Sequence, residues 1–371
     1  MKKALAQRKS GAIPRGVKYL VVIGILRVAL GRGSHLEIWR GKMILTDINA
    51  VKNIVLNVNN VCPASTQINK VNDRQPYSEL MGLGEIQSVL NYWYGFNCAK
   101  GSNKNSCNFD SIGQHLLHHA IQRNQTLLTV QVGAMDGKSN DPMYSMFVRD
   151  AGVKYIGGRA SFTDLRNWLP VLIEPVPSNY EVLLETYAEI AKTKGLGCAV
   201  PINAAVSYNA STTTCPFCRM NTANDAPKEC DVADWMKFQI GTLDCKHSKI
   251  FFNKNFDLCI RQDPLPCSSI TNLLSEKSVS SRIIGMLQID IEGYEYILLE
   301  GFLNELPDEM LPPIIHFEHK VMKSLDDTTH SLAHPLEDGT SRLKRAENLL
   351  INKGYVLHDE GEDYLAVRPE A

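Results

Sequence analysis

From residue 127 onward, short apolar runs rich in β-branched residues alternate with stretches whose apolar positions recur at helical spacing. The junctions between them carry Gly, Asp, Glu or Asn. The runs that read as strands are LLTVQVG (127–133), VLIE (171–174), CAVPINAAVS (198–207), GMLQIDI (285–291) and PIIHFEH (313–319), with a sixth near YVLHD and a last near YLAVR. Strand alternating with helix predicts an α/β fold, a doubly wound, mostly parallel, seven-stranded Rossmann-like sheet with helices on both faces. A ligand of such a sheet binds beyond the carboxyl ends of the strands, where strand order reverses. Upstream, ELMGLGEIQSVLNYWYGF (79–96) and SIGQHLLHHAIQR (111–123) also show helical spacing, and the second runs straight into a strand. The chain therefore divides into a basic N-terminal segment (1–35), a stem with a helical extension (36–110) and an α/β domain (111–371) with an insertion at 208–267.

Composition and charge narrow the classes of function. With 371 residues, 44% hydrophobic and 21% charged, the chain can bury a full α/β core. Residues 1–36 hold eight basic residues and no acid, whereas the remaining 335 carry 31 basic against 40 acidic. That surplus of acid argues against a nucleic-acid partner. No run of eighteen apolar residues occurs, so a multi-pass membrane protein is excluded. Lys2, Lys3, Arg8, Lys9, Arg15 and Lys18 precede the apolar stretch YLVVIGIL (19–26), the order of a signal anchor, although Arg27 follows directly. The expectation is a single-pass anchor and a secretory-pathway location, in the Golgi or ER membrane; a cytoplasmic or organellar segment stays open as the alternative.

Ten cysteines are present, and six crowd between Cys215 and Cys267. Such crowding reads as a disulfide-stapled insertion in an oxidising lumen or as a zinc site in a reducing one. The sequons at Asn124 and Asn209, together with the N-terminus, favour disulfides and a glycoprotein. Cys215-Pro-Phe-Cys218 has the form of a redox pair but lacks the surrounding strand and helix order. His115, His118 and His119 read as a solvated cluster, since no paired acid accompanies them, and no metal is expected.

Chemistry concentrates at the predicted strand ends. Gly133 and Gly137 frame a turn after the first strand, and Asp141-Pro142 opens a helix. This is not the G-x-G-x-x-G dinucleotide fingerprint, and the acid within the loop would repel a pyrophosphate, which disfavours a nicotinamide oxidoreductase. Glu174 at the tip of the next strand can accept both ribose hydroxyls of an adenosine, and Pro175 and Pro177 fix its turn. Asn203, with small neighbours, could border an adenine. Asp290 and Glu292 share one face of an extended segment, and the fifth strand adds His316, Glu318 and His319.

The order of these motifs resembles the FkbM family of S-adenosylmethionine-dependent methyltransferases over residues 127 to about 369. QIDIEGYEYILLEGF (288–302) is similar to the family's D-x-E-G-x-E signature; VGAMDG, IEPVPSNYEVL, INAAVS and PPIIHFEH look like its remaining strand-end motifs. The resemblance implies an O-methyltransferase of sugar, glycan or related hydroxyls with S-adenosyl-L-methionine as cofactor. It places Gly133, Ala134, Asp136 and Gly137 around the methionine end, Glu174 on the ribose and Asn203 on the adenine edge. Asp290, Glu292, His316 and Glu318 fall to the acceptor side, with His316 or Asp290 as base and Glu292 alternatively a brace for the loop. Two departures stand out. Gly133 to Glu174 spans 41 residues, about twice the usual interval, and the cysteine-rich insertion is enlarged, a feature expected to shape acceptor specificity. A catalytically inactive luminal binding module on the same fold is the alternative.

Overall fold

The computed structural model describes residues 37–39, 42–44, 79–98, 107–139, 141–148, 154–155, 158–159, 165–209, 211–220, 230, 241–243, 245, 256–277, 279, 282–326, 336 and 339–369. The chain falls into two units, Met1–Asn60 and Val61–Ala371. In the first, Glu37–Trp39 and Lys42–Ile44 pair as an antiparallel hairpin. The expected signal anchor lies outside the described residues, as do Cys62 and most of 221–255. Among the described residues, no helix is long and apolar enough to cross a membrane.

The strands of the second unit's two larger sheets are, in chain order, β1 (Leu127–Val132), β2 (Trp168–Ile173), β3 (Val200–Ile202), β4 (Ala205–Val206), β5 (Thr214–Met220) and β6 (Gly241–Thr242). There follow β7 (Ile260–Ser268), β8 (Met286–Ile289), β9 (Ile314–Glu318), β10 (Val356–Asp359) and β11 (Asp363–Val367). The principal helices are α1 (Leu83–Asn97), α2 (Phe109–Arg123), α3 (Pro142–Phe147), α4 (Pro177–Lys194), α5 (Ile270–Glu276), α6 (Glu295–Glu305), α7 (Lys320–Asp326) and α8 (Arg342–Asn352).

Seven strands form the main sheet in the order β10-β11-β9-β8-β1-β2-β3. The five from β9 to β3 are parallel neighbours, β11 runs antiparallel to β9, and β10 runs antiparallel to β11. Every residue of β1 and of β8 is buried, as expected for central strands covered on both sides. Alternate residues supply two separate cores. Leu127, Leu172, Met286, Ile314 and Leu365 pack with side chains of α1 to α4, among them Trp93, Leu117, Met146 and Leu183. Their neighbours Val130, Ile173, Leu287, Ile289 and Phe317 pack with α5, α6 and α8 through Leu273, Leu299, Phe302 and Leu350. Helix α1, which the sequence reading assigns to an extension, is thus built into the first core through Ile86, Leu90 and Trp93. Helix α2 is bounded by its own side chains: Asn108 accepts from Ser111 N–H at the start, and Asn124 closes the end in the left-handed conformation.

Two strands depart from expectation. β2 begins at Trp168, three residues before the reading that starts it at Val171, because Pro170 interrupts the apolar run. Pro170 is tolerated because β3 pairs only from Val171 onward, so it sits where that side of the ladder is open. The segment 198–207 is not one strand. It breaks at Asn203-Ala204, and β4 leaves the main sheet to pair with β7.

The insertion builds a four-stranded sheet, β6-β5-β7-β4, dominated by antiparallel pairing of β5 with β7. Disulfides Cys215–Cys267, Cys218–Cys245 and Cys230–Cys259 fasten it, and Cys98–Cys107 ties the entry to α2. Cys215 and Cys218 are bonded to different partners, so they do not form a redox pair with each other.

Candidate functional site

The chain leaves β1 for β2 and β3 on one side, then returns to β8 and β9 on the other, so strand order reverses between β1 and β8. At the carboxyl end of this pair the backbones nearly touch. Gly133 has φ +83°, and a Cβ there would stand 1.8 Å from the carbonyl oxygen of Asp290. Only glycine satisfies both the dihedral and the contact. Gly133 and Ala134 N–H both donate to the Ile173 carbonyl, which folds the loop over the end of β2.

Glu174, 4% exposed, closes this loop from the neighbouring strand. One carboxylate oxygen accepts from Met135 N–H at 2.8 Å, and the other from Val176 N–H at 2.9 Å and Asn179 Nδ2 at 3.4 Å. Burial pushes its carboxyl up to about 7, against the opposing pull of these hydrogen bonds. Met135 itself sits at φ +48°, a left-handed conformation that costs a non-glycine residue about 1–2 kcal/mol. Asp141 caps α3 by accepting from Tyr144 N–H and receives Gln131 Nε2 at 3.1 Å; burial raises it to about 6.

Across the reversal, Asp290 and Glu318 each stand one residue beyond Ile289 and Phe317, the last residues that β8 and β9 pair with each other, and so lie side by side. Together with Glu292 they bring carboxylate oxygens within 4.8 Å of one another. Burial, then the charges of Glu292 and Glu295, holds Asp290 well above the ordinary carboxylate range. Burial, then Glu292 and Asp290, pushes Glu318 up to about 10. The loop is braced by Glu295, fully buried, which accepts from Ile291 N–H at 2.9 Å and is itself raised by burial to about 8.

These elements enclose a cavity of about 890 Å³. Gly133, Ala134, Glu174, Asp290, Glu292 and Glu318 line it, whereas Asp136, Gly137, Asn203 and His316 do not. Each of the four has another engagement. Asp136 accepts from Lys138 N–H, Ser139 N–H and Ser139 Oγ, which makes it the cap of a turn. Gly137 packs under Leu183 and Tyr187 of α4. Asn203 donates to the carbonyls of Glu174 and Pro175 and holds the chain where β3 ends. His316 lies one pleat inside β9, stacked on Phe109 with ring centroids 4.1 Å apart and with Nε2 3.5 Å from Glu360. His319 is buried behind β9, 3.4 Å from Asp359.

The cavity also contains residues that the strand-end motifs do not point to. Gln131 and Gln288 are paired in register on β1 and β8, and both are buried with Oε1 lacking a partner among the described residues. A glutamine inside a buried central strand was the available signal. Asp141 lines the wall beside Gln131, and the insertion contributes Phe217, Gly241, Thr242 and Leu243.

No protein-family model matches the chain, and no curated protein matches it. Among solved structures it is similar to fibrillarin from Aeropyrum pernix in complex with natively bound S-adenosyl-L-methionine, at 10% identity and a TM-score of 0.27. The match covers 64% of this chain and 64% of that one, and a likeness of this degree carries no weight for what the chain binds.

Proposed function

We propose that the protein is an S-adenosyl-L-methionine-dependent O-methyltransferase of the FkbM type, acting on a hydroxyl of a sugar, glycan or related small molecule. One observation carries the reading: a carboxylate at the tip of β2, a glycine-permitted backbone approach and three acids from two strand ends face a single cavity at the reversal of strand order. Its volume falls within the roughly 300–1,000 Å³ of small-molecule sites. The residues present fit the cofactor. Glu174 suits ribose hydroxyls, and the Gly133–Ala134 backbone lines the cavity beside it. Asp141, on the cavity wall, is a better partner for an ammonium group than Asp136, which lies outside the cavity.

S-adenosyl-L-methionine supplies an electrophilic methyl group on a sulfonium. The chain must hold the acceptor oxygen about 3 Å from that carbon and accept its proton. Asp290, Glu292 and Glu318 are the acids placed for this, and Asp290 is exposed to the cavity. Crowded carboxylates in a cavity have raised proton affinity, so an ionised member of the group is a stronger base than a carboxylate in water. Phe217, Thr242 and Leu243 present a wall on which acceptors would be sorted. The disulfide framework supports an oxidising compartment, and with it the reading of residues 1–35 as an anchor in the secretory pathway.

Calorimetric titration with S-adenosyl-L-methionine and its demethylated product tests the proposal. Micromolar binding lost in Glu174→Ala is expected. Folded protein with no affinity for either compound would overturn it. Labelled donor incubated with a panel of hydroxylated glycans then identifies the acceptor.

A further inference from the structure

We infer that Asp290, Glu292 and Glu318 form a binding site for one hard divalent cation, of the Mg²⁺ or Mn²⁺ kind, on the acceptor side of the cavity. Each carboxylate offers an oxygen, and all of these lie within 4.8 Å of one another. Oxygens about 2.0–2.6 Å from a shared Mg²⁺ or Ca²⁺ are separated by no more than about 4–5 Å, so small side-chain shifts bring all three onto one ion. Carboxylates also select hard cations over the softer metals.

A second observation is independent of the acids. Gln288, 2% exposed, stands two residues before Asp290 on the same face of β8 and lines the same cavity, yet its Oε1 has no hydrogen-bond partner among the described residues. A buried amide oxygen is costly to leave unpaired, and an ion or its bound water supplies what it lacks. Among the described residues, Lys320 is the one Lys or Arg on the cavity wall, and its Nζ is committed to Glu362 at 2.6 Å.

The site stands on its own geometry; its role rests on the methyltransferase reading. There the cation would hold the acceptor oxygen and lower its pKa, with the hydroxyl proton passing to a carboxylate oxygen not engaged by the ion. The acids and the ion then act together, and specificity for hydroxyl acceptors follows from the preference of a hard ion for oxygen.

The test uses the full chain without donor or acceptor. MnCl₂ is titrated after removal of metals with EDTA and followed by electron paramagnetic resonance, with the thermal midpoint measured in parallel. We expect saturable 1:1 binding below the millimolar range and a rise in Tm. Asp290→Asn and Glu318→Gln should each weaken binding at least tenfold, since each replaces an anionic ligand with a neutral amide that a hard cation binds poorly. No saturable binding to the wild-type chain, or equal binding by both variants, would overturn the inference. Should a variant fail to fold, the wild-type titration still decides. Because donor is absent, the outcome is separable from failure of the methyltransferase reading.

Discussion

The carboxylate of Glu174 accepts the backbone N–H of Met135 at 2.8 Å, and so binds the tip of β2 to the loop leaving β1. This contact holds a residue with positive φ in place and puts a buried acid at the mouth of the cavity. The loop's geometry and the acid's titration are therefore linked.

That linkage makes stability depend on pH. The carboxyl of Glu174 moves from an ordinary 4.5 to about 7 on folding, so the folded chain holds the proton more tightly. Its contribution is full below about pH 4.5 and is lost as pH rises through about 7, a change of about 3 kcal/mol. Thermal denaturation between about pH 5 and about pH 8 should show wild type losing stability relative to Glu174→Gln. Parallel curves would contradict the burial-driven shift.

Gly133→Ala should be severe. It places a Cβ at φ +83° and 1.8 Å from a backbone oxygen that cannot swing aside. The dihedral costs about 1–2 kcal/mol and the overlap about 1–3 kcal/mol more. Chemical denaturation would measure the loss, and binding of S-adenosyl-L-methionine should fall with it. A variant within about 0.5 kcal/mol of wild type would show that the two loops can separate freely.

His316 and Asp290 should behave oppositely in an assay of methyl transfer. His316→Asn removes the stack on Phe109 and should cost about 0.5–1.5 kcal/mol of stability with kcat changed less than about tenfold. Asp290→Asn should fold and lower kcat by about 10²–10⁴-fold. Comparable kcat losses in both would return the histidine to the reaction.

The Cys215–Cys267 bridge closes a separation of 52 residues and holds the strand bearing Phe217. Replacing both cysteines with serine should destabilise the chain by about 2–5 kcal/mol. Acceptor KM should rise while donor affinity stays near its wild-type value, because Glu174 and the Gly133 loop stand on the main sheet. An equal loss of both affinities would mean that the insertion also supports the donor side.

The residues that sequence reading places correctly in the cavity, and those it does not, differ in a physical way. Glu174, Asp290 and Glu318 can be found because a strand projects alternate residues to one face, and an acid just past an apolar strand must emerge at its end. Asp136 and Asp141 are the same residue type five positions apart in one loop. Which of them faces the cavity follows from hydrogen bonds to Ser139 in one case and to Gln131 in the other. Asn203 carries the right chemistry for a ligand edge, but two backbone carbonyls occupy its amide.

Local pattern and composition alone determined the α/β alternation, the strand-end chemistry and the place of a cysteine-rich insertion, because these are read from neighbours a few residues away, whereas the pairing of its cysteines joins residues 27 to 52 apart. The strand order, the meeting of Gly133 with Asp290, the retreat of His316 behind Glu318 and the wall supplied by Phe217 were decided only when distant segments packed. Each is a contact between residues far apart in the chain, and no pattern within a single element encodes the partner.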